Sequence, residues 1–180
     1  FKEWAAVCRA LADGRQAVIL RKGGIAEADG LFRPEHPRFW LYPTFFHAQE
    51  AGLKPDAAPL VAAAAADKPP EGRLRLAHFC EVGEVRFLDT LDAALALGPL
   101  HVWSDDTVRQ RFHYRTPGLY ALAVRVYRAD QPADVPEHPA YAGCKTWVDL
   151  DPGAEETPAV PALVDAAYQS VINVVAAAGR

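Results

Sequence analysis

The sequence predicts a single α+β domain with a mixed or mostly antiparallel sheet, flanking helices and a Pro/Ala-rich excursion. Strand-like runs cluster along the chain instead of alternating with helices, which disfavours a parallel βαβ array. The 180 residues are enough for one buried core. A composition of 51% hydrophobic and 23% charged residues is ordinary for a globular domain. We therefore expect residues 1–180 to form one domain.

Hydrophobic periodicity and turn residues set the expected elements. Trp4, Val7, Cys8 and Leu11 follow the spacing of one helix face, which predicts an amphipathic first helix. In the first half, the expected elements are a helix over 3–12, a buried interior strand over 16–21, a Gly/Pro-rich loop over 22–38, an extended aromatic segment over 38–46, a mobile surface excursion over 53–72, and a bent strand or a hairpin broken at Gly83 over 73–88. In the second half, they are a helix capped by Asp89 or Thr90, a helix capped by Ser104, a strand over 118–129, a Pro-rich loop over 130–143, a short strand over 145–150, and a firmly docked helix over 161–178.

The charge distribution limits the classes of partner. The 19 Lys and Arg against 23 Asp and Glu give a net charge of −4. This balance argues against a protein whose main function is to coat nucleic acid or an anionic membrane. Residues 101–128 are nevertheless rich in arginine, which is compatible with a cationic face on an acidic body.

Cysteine usage and hydropathy indicate the compartment. Cys8, Cys80 and Cys144 form no CxxC pair, so buried free thiols in a reducing cytoplasm are expected. No apolar run approaches the ~18 residues that span a bilayer, and no signal peptide opens the chain. We therefore expect a cytoplasmic protein with no membrane association.

The stretch "ILRKGGI" is the first candidate binding site. Arg21 and Lys22 end a predicted strand, and Gly23 and Gly24 allow a ligand to approach backbone N–H groups closely. Two cations at this place favour phosphate or carboxylate. The pattern is neither a P-loop nor a GxGxxG fingerprint. The alternative interpretation is a turn that ends the strand, with two solvated cations.

Two further stretches carry candidate ligand-binding residues. His47 follows a run of aromatic residues that could stack on bases, or could form part of the core. Arg109 and Arg111 lie on the helix capped by Ser104, where Asp105 and Arg109 are spaced to form an ion pair. The alternative for this helix is a solvated surface laced by weak salt bridges.

Candidate catalytic residues are more dispersed. A hydrolase would use His47 or His138 with a carboxylate such as Glu81 or Glu84, together with a divalent metal. The six histidines show no HExxH motif, and we assign no metal site. Cys144 beside Lys145 is expected to be structural. Catalytic roles and cofactor therefore stay open.

Several blocks together resemble a known family. "EWAAVCRAL", "ILRKGGI", "FWLYPTFFH", "HVWSDDTVRQRFHY", "RVYR" and "YAGCKTWVDL" resemble the uncharacterised bacterial domain-of-unknown-function family DUF 1802 over most of the chain. The resemblance implies a soluble domain loosely associated with restriction-type nuclease domains, and it implies no catalytic residues. "ALADGRQAVILR" is also similar to PUA-like and ASCH RNA-binding domains, but it lacks the acidic residue usual two places before the arginine.

These observations converge on one expected function and two alternatives. We expect a domain that binds an anionic ligand, nucleic acid or a nucleotide, through Arg21, Lys22, Gly23, Gly24, His47, Arg109 and Arg111 around one cleft. The first alternative is a metal-dependent nuclease or other hydrolase. The second is an accessory domain that binds a protein partner through an exposed apolar patch.

Overall fold

The fold is an antiparallel sheet with helices packed against it, seen in a computed structural model that describes residues 1–22, 36–46, 49–143, 146–150 and 158–178. It confirms the predicted α+β class. The strands are β1 Lys2–Trp4, β2 Val18–Arg21, β3 Arg38–Trp40, β4 Tyr42–Thr44, β5 Arg73–Leu88, β6 Leu119–Pro136 and β7 Ala159–Pro161. The helices are α1 Ala5–Ala12, α2 Ala58–Ala66, α3 Leu91–Ala96, α4 Asp105–His113 and α5 Asp165–Ala177.

Two long strands form the centre of the main sheet. β5 pairs antiparallel with β6 from Leu88 opposite Leu119 to Arg73 opposite Pro136. The register shifts twice, once between Leu76 and His78 and once across Gly83. The expected break at Gly83 is therefore a bulge within one continuous bent strand, which is how a sheet bends without losing its pairing.

The remaining strands attach to this pair. The sheet order is β2-β6-β5-β3, β7 adds to β6, and β1 pairs in parallel with β4 in a separate two-stranded sheet. β2 pairs only with β6 within the described residues, so the prediction of an interior position in the sheet was wrong. Val18, Ile19 and Leu20 are nevertheless fully buried, because α1 and the rest of the core cover this edge.

The helices follow their sequence signals closely. In α1, Val7, Cys8 and Leu11 are buried as the periodicity predicts. The Thr90 side chain accepts a hydrogen bond from Ala93 N at the start of α3, and the Ser104 hydroxyl accepts one from Thr107 N at the start of α4. The excursion at 53–72 contains α2, a nine-residue helix that contacts α1.

Three other expectations were wrong. Residues 130–136 continue β6 instead of forming a loop, because they pair with the beginning of β5. Residues 146–150 form no strand, and the last strand is β7. The last helix begins at Asp165 and not at residue 161, and Val171 and Val175 are its only buried residues.

No helix within the described ranges has both the length and the apolar character needed to cross a bilayer.

The close approach of α5 to the Gly83 bulge gives a stability prediction. A Cβ atom at residue 83 would lie 2.1 Å from Tyr168 Oη and 2.6 Å from Ile172 Cδ1. We expect Gly83→Ala to lower the free energy of unfolding by about 1–3 kcal/mol, because the Tyr168 and Ile172 side chains must leave their packed positions to make room. Urea denaturation measures the change. Gly98→Ala is the control, since its Cβ would meet only Lys54 Nζ at 3.9 Å; equal effects of the two substitutions would contradict the packing.

A buried histidine gives a second prediction. His101 is 3% exposed, and burial, reinforced by Lys54 and Arg111, lowers its pKa from 6.5 to about 4. As the pH falls, the unfolded chain therefore protonates His101 at a higher pH than the folded chain does. The stability contributed by neutral His101 is complete above pH 6.5 and is lost as the pH falls to 4. We expect wild type to lose about 3 kcal/mol relative to His101→Phe between pH 7.5 and pH 4. Denaturant titrations at both pH values test this, and a constant difference would refute it.

Candidate functional site

Glu3 is a buried carboxylate beside the first predicted site residue. Its side chain is 1% exposed, and its Oε2 lies 3.2 Å from Arg21 Nη2. Arg21 also donates to the Lys2 carbonyl, and its guanidinium lies 4.3 Å from the centroid of the Phe1 ring. Arg21, which ends β2, is therefore engaged by contacts inside the fold.

Arg111 on α4 reaches the same cluster. Its Nη1 donates to the Leu20 carbonyl at 3.3 Å, and its guanidinium lies 5.1 Å from the Trp4 ring and 4.6 Å from the Trp103 ring. Burial lowers the pKa of Arg111 to about 10, and the Glu3 carboxylate opposes that shift. Two guanidiniums therefore lie around one buried carboxylate, which neutralises half of their charge.

Lys22 ties β2 to the end of α4. Its Nζ donates to the carbonyls of Phe112 at 2.8 Å and Gly118 at 2.7 Å, and also to that of Thr116. A helix C-terminus leaves carbonyls without partners inside the helix, and a cation satisfies them. Burial lowers the pKa of Lys22. This ammonium is engaged by backbone oxygens.

Among the described residues, the predicted Arg109 does not join this cluster. Arg109 is exposed on α4, and no ion pair joins it to Asp105 in the part of the chain that the structure describes. Gly23, Gly24 and His47 lie outside the described residues, as do Cys144 and Lys145. Of the predicted set, Arg21 and Arg111 therefore share one place, with Lys22 nearby on the end of α4.

Among the described residues, the candidate His138 lies far from the two candidate carboxylates, and the candidate His47 lies outside those residues. Glu81 accepts a hydrogen bond from Tyr127 Oη at 3.0 Å, and Glu84 pairs with Arg86 at 3.1 Å. His138 lies beyond the far end of β6, roughly 25 Å along the strands from Glu81 at about 3.3 Å per residue. Its Nδ1 accepts the Ala140 N–H at 3.1 Å. The carboxylates and His138 do not form one catalytic centre.

A metal centre finds no support in the same residues. Among the residues described, no group of three or more His, Cys, Asp or Glu side chains is placed to hold a metal ion. His78 and Cys80 lie on β5, and Cys80 is fully buried with a pKa raised by burial.

A groove of about 790 Å³ lies elsewhere, between α1, β4, the segment after α2 and the first half of β5. Its volume is within the range of small-molecule and cofactor sites. The side chains that line it are Ala5, Cys8, Arg9, Ala12, Asp13, Leu41, Tyr42, Pro43, Phe45, Ala64, Asp67, Lys68, Pro69, Pro70, Glu71, Arg73, Leu74, Arg75, Ala77, His78, Arg128 and Glu137, together with Gly72. Both apolar and polar side chains therefore line the groove.

Three cations of the groove have no carboxylate partner in the described ranges. Lys68 lies 5.4 Å from the centroid of the Phe45 ring, and Arg73 donates to the Asp134 backbone carbonyl. Arg128 is exposed, and it makes no ion pair with any described residue. These side chains keep their charge available to a ligand.

The other two cations are neutralised. Arg9 pairs with Asp13 at 3.0 Å and with Asp67 at 2.6 Å. Arg75 donates to both carboxylate oxygens of Asp134, at 2.8 and 2.9 Å. These pairs shape the walls of the groove without making them cationic.

The groove also holds a neutral imidazole and a tyrosine–carboxylate pair. Burial lowers the pKa of His78, and Arg128, which pairs with it across the sheet, adds to the shift. Tyr42 Oη donates to Glu137 Oε1, and burial together with this bond raises the tyrosine pKa. The groove therefore offers donors, acceptors and an exposed aromatic ring, Phe45.

Sequence reasoning did not find this groove. The alternation in "RLRL" places Leu74 and Leu76 in the core and Arg73 and Arg75 on the other side, which was a readable signal. The position of Arg128 beside His78 depends on the register between two strands about 50 residues apart, and nothing local encodes it.

The fold resembles solved structures of ASCH from Zymomonas mobilis. One shares 16% sequence identity with a TM-score of 0.44 and covers 73% of this chain and 67% of that chain. A tyrosine-to-phenylalanine variant of that protein shares 15% identity with a TM-score of 0.45, and the match covers 76% of this chain and 73% of that chain. A serine-to-alanine variant shares 17% identity with a TM-score of 0.43, and the match covers 73% of this chain and 68% of that chain. At such TM-scores the likeness carries no argument about function.

Comparison with protein families identifies the chain more firmly. No curated protein matches the sequence significantly. The model of the family described as a domain of unknown function, DUF1802, matches residues 1–173, nearly the whole chain. This match confirms the resemblance drawn from the sequence blocks, and the chain belongs to the DUF1802 family.

Proposed function

We propose that the protein binds a nucleotide, free or as part of a short single strand of nucleic acid, in the groove between α1, β4 and β5. The observation that carries the proposal is a groove of about 790 Å³ lined by Lys68 and Arg128, which have no carboxylate partner among the described residues, and by the exposed Phe45 ring. The Lys68 ammonium lies 5.4 Å from the centroid of that ring. This keeps the anionic ligand expected from the sequence and moves its site from Arg21 and Lys22, whose charges are engaged internally.

The phosphate would be held by Lys68 and Arg128. Each lines the groove, and neither has a carboxylate within ion-pair distance among the described residues. Charge-assisted hydrogen bonds from such groups are about twice as strong as neutral ones. Arg128 stands beside the neutral His78, so a phosphate bound there would also meet an imidazole.

The base would lie against Phe45. Its ring is 37% exposed and already faces the Lys68 ammonium. Stacking of a base on an aromatic side chain is worth about 1–3 kcal/mol and tolerates any base, because every base has a π face. Leu41 and Leu74 supply apolar floor to the same groove.

Acidic side chains also line the groove, and they limit the class of ligand that can bind there. Glu71 and Glu137 line the groove as well as the free cations. A duplex, with phosphates along its whole surface, would meet these acids as well as the cations. A nucleotide has one anionic end and an uncharged base and sugar whose N–H and O–H groups can donate to carboxylates.

Removal of the free cations tests the proposal. We expect Lys68→Ala with Arg128→Ala to weaken binding of nucleoside monophosphates and of a short single-stranded oligonucleotide by about tenfold per lost charge. Both side chains lie at the surface, so stability should change by less than about 0.5 kcal/mol. Calorimetric titration for the nucleotides and fluorescence anisotropy for the oligonucleotide, each at several salt concentrations, measure the effect.

The control for each of the two single substitutions is Arg109→Ala, which removes one charge from the exposed face of α4. It should leave binding unchanged. Equal affinity of the double variant and wild type at every salt concentration would refute the proposal, as would loss of binding in the control alone. Cleavage of labelled DNA or RNA that requires Mg²⁺ or Mn²⁺ would instead support the hydrolase alternative.

A further inference from the structure

Glu137 is a groove carboxylate whose position is fixed at two points. Its backbone N–H donates to the Gly72 carbonyl at 2.9 Å, where β6 has just ended. Its Oε1 accepts the hydroxyl of Tyr42, a residue that is only 5% exposed and packs with Leu74 and Tyr141. Glu137 is itself exposed, and this hydrogen bond to a buried tyrosine restricts the positions that its carboxylate takes.

The remaining capacity of this carboxylate is for accepting hydrogen bonds. An ionised carboxylate has about four lone-pair sites and no donor. Tyr42 uses one of them, and Oε2 makes no hydrogen bond to any described residue. Since Glu137 lines the groove, a ligand in it would meet an acceptor that can take two parallel N–H groups.

Glu137 and Arg128 lie at different places along the groove. Glu137 lies next to Arg73, because Pro136 pairs with Arg73 across the strands. Arg128 and His78 lie five residues farther along β5, roughly 16 Å away at about 3.3 Å per residue. A ligand along the groove can therefore have its phosphate near Arg128 and its other end at Glu137.

We propose that Glu137, positioned by Tyr42, makes the groove selective for guanine through the adjacent N1–H and N2–H donors of that base; this rests on the nucleotide-binding function proposed above. Guanine presents two neighbouring donors on its Watson–Crick edge, and a carboxylate accepts both. Adenine presents an acceptor at N1, which a carboxylate repels, and hypoxanthine keeps only the N1–H donor. Glu137 is thus a specificity-determining residue, and Tyr42 is a positioning residue.

A panel of nucleotides tests the selectivity. Calorimetric titration of the full chain with GMP, IMP and AMP should give dissociation constants that rise in this order, with about tenfold or more between GMP and AMP, as for a good two-bond contact. Glu137→Gln should make the dissociation constants of GMP and AMP nearly equal, because an amide offers one acceptor and one donor. Tyr42→Phe should lower, but not abolish, the preference for GMP over AMP, and it should leave phosphate binding in place.

Glu71→Gln is the matched control, because it removes another carboxylate of the groove. The ratio of the AMP and GMP dissociation constants should stay as in wild type. Equal binding of GMP, IMP and AMP by wild type would overturn the selectivity and leave nucleotide binding intact. A preference for GMP that survives Glu137→Gln would overturn the role of Glu137 alone. Binding of none of the three nucleotides would overturn both proposals.

Discussion

The antiparallel pairing of β5 with β6 is the constraint on which the rest of the structure depends. These strands run side by side from Leu88–Leu119 to Arg73–Pro136, and β2, β3 and β7 all attach to one of the two. Such a long ladder bends only where its register changes, and the bulge at Gly83 makes room for Tyr168 of α5. The beginning of β5 forms a wall of the groove, so the same pairing that builds the core also places Arg128 beside His78.

A buried carboxylate decides what the cations near β2 do. Glu3 is almost fully buried, and a carboxylate in that position costs several kcal/mol unless a cation neutralises it. Arg21 supplies that charge, and Arg111 lies close enough to share it. A pair of cations before two glycines resembles an anion site when read locally. The same cations are structural once the fold brings a carboxylate and open helix carbonyls to them, as Lys22 also illustrates.

The sequence predicted those elements whose signals are local. Thr90 and Ser104 cap helices through hydrogen bonds from backbone N–H groups three residues later, and the buried face of α1 follows a local periodicity. Residues 130–136 were mistaken for a loop because their Asp and Pro content is typical of loops, whereas their pairing partner lies some 60 residues earlier. The groove could not be predicted from the sequence for the same reason. Its cations come from α1, the segment after α2, β5 and β6, and no window of sequence contains them together.

The arrangement of charge in the groove explains why an acidic protein can still bind an anion. Net charge governs long-range attraction, which at −4 does not favour polyanions. A site inside a groove acts over a few ångströms, where the partners of each cation matter more than the total. Carboxylates neutralise Arg9 and Arg75, whereas Lys68 and Arg128 have no such partner in the part of the chain that the structure describes. A ligand with a single anionic end can place that end against Lys68 and Arg128 and turn its uncharged part toward the acids. Binding should therefore depend on salt only to the extent of one or two phosphates, at a slope of about −0.7 per phosphate for a single strand.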